Sequence, residues 1–323
     1  MKPREERIEK IRKTFNTAQA DETLKSYYTI KNWRGKHLHR KIIQIDSEYL
    51  MYRIENSRTD RQQLAYIRKH SLPKDFFEDP ESSDVQDVQE SILTEMVLRD
   101  NKLLEDLKIK KQEDACIITY DGYIINGNRR TAGLKYMGER YIDCIVLPED
   151  AAPKDLYLLE QQLQIAPDFR EDYHWINELR NIRKGTDDSR LELTEDELAK
   201  NLRMSKKEFK VKQRTYDLVK AFLIWKNIPN EYDYPKLDDA EEIFRQLEKA
   251  TKKYAKDNAK RNALQNAVFI LIEKRPSKGR LYGYVMDLIR NFDQVYAKMN
   301  KSEEPPFEDT KNKPESNESD LMD

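Results

Sequence analysis

Glycine is scarce in this chain: 323 residues contain 8, together with only 2 cysteines and 4 histidines. A P-loop or a dinucleotide fingerprint needs several glycines at fixed spacing, and the P-loop also needs a terminal Lys-Ser/Thr; neither pattern occurs. Cys116 and Cys144 both stand inside apolar, strand-like runs. They read as buried free thiols of a reducing compartment rather than as a disulfide or a ligand pair. His37 and His39 alternate in "RGKHLHRK" without supporting cysteines, which marks one face of an extended segment and excludes a zinc site. No apolar run approaches the length of a bilayer span, and "MKPREERIEKIRK" lacks the apolar stretch of a signal peptide. The expectation is a cytoplasmic protein without membrane association.

Charge is abundant. Charged residues make up 37% of the chain and hydrophobic ones 38%, in a helix-favouring composition that fits two or three modules. The net charge of −1 hides a segregation. Residues 1–41 are basic, "FFEDPESSDVQDVQES" is acidic, "KNLRMSKKEFKVKQR" is basic, and "SEEPPFEDTKNKPESNESDLMD" is acidic again. Binding follows local rather than summed charge, so nucleic acid stays open as a partner. For the first 41 residues, helices with solvated mixed-charge faces explain the pattern equally well.

The first thirty or so residues read as a helical arm with apolar positions at Ile8, Ile11 and Phe15. A short strand, "KIIQI", follows, and then a polar loop, "ENSRTDR", which brings Arg58 and Arg61 near each other. Val85, Val88, Ile92 and Met96 define an amphipathic helix, with Ser83 and Gln86 in capping-box positions. "ACIITY" and "YIIN" flank Asp121-Gly122, which predicts a tight hairpin with positive φ at both central positions. The second strand runs into "NGNRRTAGLKYMG". Here Gly127 turns the backbone, Asn128 caps the next helix and Gly138 ends it, before "RYIDCIVLPED" returns as a strand. Beyond Ala152 only helical periodicity remains. The expected organisation is a basic helical arm over 1–39, an α+β domain over 40–150, a helical domain over 151–225, a helical region over 226–300 and a disordered acidic tail over 301–323.

A strand that ends in glycine at a helix N-terminus directs backbone N–H groups and the positive helix end into one small volume. Arg129 and Arg130 add two planar donors suited to phosphate. Two readings stay open: an anion site for a nucleotide's phosphates, or a structural turn whose arginines pair with the acidic helix near Asp84 and Asp87.

Residues 40–150 resemble the N-terminal domain of the ParB/sulfiredoxin superfamily. The likeness lies in the order of "KIIQI", "ENSRTDR", "VQESILTEM" and "DGYIINGNRRTAGLKYMGERYIDCIVLPE", where Gly127, Arg129, Arg130 and Ala132 fall on the family's glycine-arginine box. The resemblance implies a nucleotide-binding fold holding a nucleoside triphosphate, CTP or ATP, with or without Mg2+. Gly127 would approach the phosphates with its backbone beside Asn128, Arg129 and Arg130 would neutralise them, and Arg58 would contribute from the loop. ParB proteins commonly carry glutamate where this chain has Asn128, which cannot act as a general base; that argues against fast hydrolysis and leaves open a slow nucleoside triphosphatase. Neither cysteine occupies the catalytic position of sulfiredoxins, and the carboxylates of the superfamily's free-serine kinases map onto none here.

"LTEDELAKNLRMSKKEFKVKQRTYDLV" reads as a helix-turn-helix over 194–214, with capping boxes at Thr194/Glu197 and Ser205/Glu208. Leu198, Ala199, Leu202, Met204 and Phe209 supply its inward face. Lys206, Lys207, Lys210 and Lys212 offer phosphate contacts, and Gln213 and Arg214 base contacts. Arg203 stands where such a turn usually has glycine; an ordinary helical hairpin with a basic face is the alternative. The order of box and helix pair again resembles ParB, and "LYGYVMDLIRNFDQVYAKM" is a candidate helix for a homodimer. The leading expectation is a bacterial-type, ParB-like nucleotide- and DNA-binding protein acting in DNA partition, regulation or defence, and nucleoid-associated if it binds DNA. The alternatives are an enzyme on the same fold, a small-molecule phosphotransferase or nuclease using carboxylates such as Glu55, Asp60 and Asp121, or an interaction protein with a vestigial pocket.

Overall fold

The computed structural model of the protein describes residues 1–55, 58–99, 101–165 and 174–301. Contacts divide the chain into two compact units, Met1–Glu248 and Lys249–Asp323. The first begins with helix α1 (Arg4–Ala20), a hairpin of β1 (Tyr27–Trp33) and β2 (Lys36–Lys41), then β3 (Ile43–Asp46) and the two-residue β4 (Met51–Tyr52). Helices α2 (Asp60–Lys69), α3 (Ser83–Arg99) and α4 (Asn101–Lys110) follow. Next come β5 (Cys116–Ile118), β6 (Tyr123–Asn126), α5 (Asn128–Tyr136) and β7 (Tyr141–Val146).

Strands β3 to β7 form one mixed sheet in the order β3-β7-β5-β6-β4. β3 with β7 and β5 with β6 are antiparallel, while β5 with β7 and β4 with β6 are parallel. Because successive side chains alternate between faces, the apolar runs "CII" and "YIDCIV" serve two cores. Cys116, Ile118, Ile142 and Cys144 join Leu93, Ala132 and Leu134 on one face. Ile117 and Ile145 join Ile30, Trp33 and Leu159 on the other. Both thiols are fully buried and free, and burial pushes both up from their ordinary range.

The structure corrects three local expectations. The arm's helix stops at Ala20, and residues 27–41 form a hairpin instead, since Tyr27, Tyr28, Thr29, Ile30 and Trp33 favour extended backbone and the turn residues Asn32, Arg34 and Gly35 take positive φ. In the β5–β6 turn only Gly122 has positive φ, at +94°, while Asp121 does not. Gln86 makes no capping box. It is buried, and its amide accepts from Tyr52 N at 2.8 Å and donates to Tyr52 O at 2.9 Å, as a neighbouring strand would on the open side of edge strand β4. Gly138 does end α5 as expected: Glu139 N donates to Leu134 O at 3.0 Å and Gly138 N to Lys135 O at 2.9 Å, the paired bonds of a Schellman turn.

After α6 (Pro153–Ile165) the described chain is helical, with α7 (Trp175–Asp187), α8 (Glu195–Asn201), α9 (Lys206–Trp225) and α10 (Glu241–Thr251). Leu198, Ala199 and Phe209 pack with Tyr157, Ile182 and Leu191, and Leu202 and Met204 lie against them. Gly185 lets α7 approach closely, because a Cβ there would stand 2.4 Å from the Tyr157 hydroxyl and 2.7 Å from a Leu198 methyl. In the second unit, α11 (Asn258–Lys274) and α12 (Leu281–Lys301) run together, and Asp293 accepts from Tyr254, Lys253 and Lys260. Apart from Lys301, the expected disordered tail lies outside the described residues.

Candidate functional site

The glycine box sits where β6 passes into α5. Gly127 is the N-cap residue, with φ +102° and ψ 11°, and Thr131 N donates to its carbonyl at 2.8 Å as the helix's first bond. Asn128 follows inside the helix and does not cap it. It is buried, its Nδ2 donates to Ile124 O at 3.0 Å and its Oδ1 accepts from Arg53 N at 3.3 Å. Arg129 is buried in the first turn of α5. Arg130 donates to Asp114 O at 2.9 Å, with Asp114 Oδ2 at 3.5 Å. Asp84 and Asp87 therefore do not supply the partner of Arg130; the carboxylate of α3 that reaches α5 is Glu90, which binds Lys135.

Beyond β4, Ile54 and Thr59 are bonded by two buried glutamines. Gln63 Nε2 donates to Ile54 O, to Thr59 Oγ1 and to Gln89 Oε1, and Gln89 Nε2 donates to Thr59 Oγ1 at 3.0 Å. Buried amide hydrogen bonds of this kind fix the positions of the groups they join. Arg58 is partly buried there, and its carbonyl accepts from Asn177 Nδ2 at 3.4 Å. Arg61 points elsewhere, donating to Asp238 at 2.6 Å.

Beside the box lies a group of charges that sequence reading missed. Arg53, bonded through its backbone to Asn128, faces Glu160 of α6 at 3.6 Å and Glu55 at 3.7 Å. Glu55 also meets Lys184 at 3.5 Å and Arg190 at 3.2 Å, and Arg180 faces Asp60 at 3.6 Å. Several of these separations exceed hydrogen-bond length, so the charges are matched in sign but loosely joined. Arg53 Nη1 and Arg180 Nη1 are buried and make no hydrogen bond among the described residues. Burial pushes Glu160 and Asp60 above the ordinary carboxylate range despite the cations nearby. At Glu55 burial acts in the same sense, but Lys184, Arg53 and Arg190 outweigh it and the carboxyl falls below its usual value. Two of the three carboxylates named for an enzyme, Glu55 and Asp60, thus belong to this group. Asp121 lies apart, at the β5–β6 turn, bound to Arg4 at 3.0 Å. The signal for Arg53 and Glu160 was faint: a charge directly after a short apolar strand, and one acid inside "LYLLEQQLQI".

Helices α8 and α9 start at the two expected caps. Thr194 and Glu197 form a full capping box, Ser205 Oγ accepts from Glu208 N, and Arg203 adopts φ +54°, the left-handed turn for which glycine is usual. The basic face of α9, however, is largely matched by acids of its own chain. Lys206 pairs with Asp196 at 2.5 Å, Lys210 with Glu195 at 3.4 Å, Lys212 with Glu178 at 2.7 Å and Arg214 with Glu248 at 2.6 Å, and Gln213 donates to Glu195 at 3.2 Å. Lys207 is exposed and has no such partner among the described residues.

Fold and box together define a class: an α+β domain with a glycine turn between strand and helix, followed by an all-helical half. The chain is similar to a solved Pnob8-like ParB-N domain, with a TM-score of 0.43 and 14% sequence identity, over 81% of this chain and 97% of that one. It is also similar to the C-terminally truncated chromosome-partitioning protein ParB from Caulobacter crescentus, solved with CTP-gamma-S, with a TM-score of 0.23 and 12% identity, over 71% and 98% of the two chains. No protein-family model and no curated protein matches the chain. Among the described residues, no helix is long and apolar enough to cross a membrane.

Proposed function

We propose that the protein is a ParB-like nucleotide- and DNA-binding protein, with a nucleoside triphosphate held at the Gly127 turn and DNA bound through the helix-turn-helix of α8 and α9. The observation that carries the nucleotide reading is the set of half-buried cations beside the box. Among the described residues, the buried Nη1 groups of Arg53 and Arg180 have no hydrogen-bond acceptors, and a phosphate chain would supply them. Gly127 gives the close backbone approach, and Arg129, Arg130, Arg58 and the backbone of Asn128 complete the surface. Arg130 contributes with a guanidinium already tied to Asp114, so it positions the turn as much as it binds.

Contact between α9 and DNA would use Lys207 directly and would exchange the exposed pairs of Lys206 and Lys210 for phosphate. Such surface pairs hold roughly 0–1 kcal/mol, which makes the exchange affordable. Calorimetric titration with CTP, ATP and GTP, with and without Mg2+ and duplex DNA, tests the whole reading. Saturable binding of one nucleotide that Arg129→Ala removes supports it, and heat-silent titrations with folded protein overturn it.

One observation favours a second reading, an enzyme on the same fold. Glu55, Asp60 and Glu160 stand together beside the box, and the raised pKa values of Asp60 and Glu160 suit general acid-base work. Phosphoryl transfer or hydrolysis that Glu160→Gln abolishes, with binding retained, would move the assignment there.

A further inference from the structure

The β1–β2 hairpin is a sheet of its own, separate from the five-stranded sheet. Its inner face is sealed: Ile30 and Trp33 are buried, with Tyr28 and Leu38, against Ile117, Ile145, Leu147 and Leu159. Three further ties hold it in place. Lys41 Nζ donates to Ala18 O of α1 at 2.9 Å and to Asp21 O just beyond the helix at 2.7 Å; Arg40 Nε donates to Val146 O at 3.2 Å; Gln162 Nε2 donates to Lys31 O at 2.6 Å. The ribbon is therefore fixed in position before any partner arrives.

Its outer face has a different chemistry. Tyr27, Thr29, Lys31, His37 and His39 are exposed there, Lys36 is exposed at the tip and Lys25 just before β1. Thr29 Oγ1 and His39 Nδ1 lie 2.8 Å apart across the strands. No Asp or Glu occurs between Leu24 and Ile45. The carboxylates that reach the tip, Asp150 and Asp155, are both taken by Arg34. Lys25, Lys31 and Lys36 have no carboxylate partner among the described residues, whereas Lys206, Lys210, Lys212 and Arg214 of α9 all do.

We infer that the outer face of the β1–β2 hairpin is a second DNA-contacting surface, with Lys25, Lys31 and Lys36 on the phosphates and the Tyr27–Thr29–His39 side of the ribbon toward the groove. A two-stranded ribbon, with strands about 4.8 Å apart, fits a major groove about 12 Å wide. Unpaired lysines contribute to duplex affinity in full because they exchange only mobile counterions for phosphate, whereas Lys206, Lys210 and Lys212 of α9 must first give up their carboxylates. The inference extends the DNA-binding part of the proposed function with a separate set of residues.

The test is fluorescence polarisation of the full-length protein with a labelled mixed-sequence duplex over a salt series. The unaltered protein is compared with Lys25→Gln/Lys31→Gln/Lys36→Gln, with the single tip variant Lys36→Glu and with Lys207→Gln, each checked by thermal melting. The hairpin triple variant is expected to bind at least about tenfold more weakly and to lose about 2 to 3 from the slope of log affinity against log salt. Lys36→Glu is expected to show a smaller loss in the same sense. Unchanged affinity and slope in the hairpin variants overturn the inference. So does a loss confined to Lys207→Gln, which would leave DNA binding with α9 alone. A hairpin variant that keeps the duplex but loses vesicles of phosphatidylserine and phosphatidylcholine also overturns it, in favour of a lipid surface. Absence of duplex binding by the unaltered protein overturns both this inference and the DNA part of the proposed function.

Discussion

Gly127 lies directly against Cys116: a Cβ built on the glycine would stand 2.5 Å from the buried sulfur. The position therefore requires glycine twice, for its φ of +102° and for the space under it. Gly127→Ala is expected to destabilise the domain by about 1–3 kcal/mol. Adding Cys116→Ala should recover the steric part of that loss and leave the part due to φ, so a double-mutant cycle by urea denaturation should show coupling between the sites. Strict additivity would mean that the turn relaxes away from the thiol.

The two arginines of the box divide their work. Arg130 donates to the Asp114 carbonyl, so Arg130→Ala should lower stability by about 1 kcal/mol in thermal or chemical melts. Arg129→Ala should lower nucleotide affinity by about tenfold or more, as loss of a charge-assisted hydrogen bond does. Calorimetry on both variants separates the roles, and equal effects on binding and folding at both positions would contradict the division.

Stability should depend on pH through the buried carboxyls. Burial raises the pKa of Glu160 from 4.5 and of Asp60 from 3.8. A carboxyl with a raised folded-state pKa stabilises the fold fully below its unfolded value, and the stabilisation is lost as pH climbs through the folded value. Glu160→Gln mimics the uncharged form. It should melt higher than the unaltered chain near neutral pH and nearly alike at about pH 4, where both forms are uncharged. A variant less stable at neutral pH would mean that the Arg53–Glu160 attraction outweighs the cost of burying the charge.

Arg214 has a structural partner that its sequence neighbours did not announce. It donates to Glu248, whose side chain is 3% exposed, at 2.6 Å. Arg214→Ala removes a charge-assisted hydrogen bond from that buried carboxylate and should cost about 1.5–3 kcal/mol. Lys207→Gln should leave the melting temperature unchanged. Melting both variants before any DNA assay distinguishes lost contact from lost fold; an Arg214→Ala protein as stable as the original would show that Glu248 finds water or another donor.

Local chemistry made much of the fold legible. The β5–β6 turn, the glycine turn before α5, the Schellman end at Gly138 and the cap of α8 at Thr194 all depend on residues a few positions apart, and each formed where the sequence placed it. Where several local signals competed, reading failed. The basic arm looked helical past Ala20, although Tyr27 to Ile30 carried the strand preference that won, and Gln86 left its capping position because an edge strand offered its amide two better bonds.

The sequence by itself therefore determined the α+β half, the helical half and the presence of a glycine-arginine turn, since propensity, turn chemistry and apolar period act over short distances. Only the tertiary structure decided which charges are available. Arg53 meets Glu160, Arg130 meets the Asp114 carbonyl, and Lys206, Lys210, Lys212 and Arg214 meet acids of α7, α8 and α10, while Lys25, Lys31 and Lys36 meet none among the described residues. A cation's function depends on whether a carboxylate stands within a few ångströms of it, and packing between distant segments sets that distance.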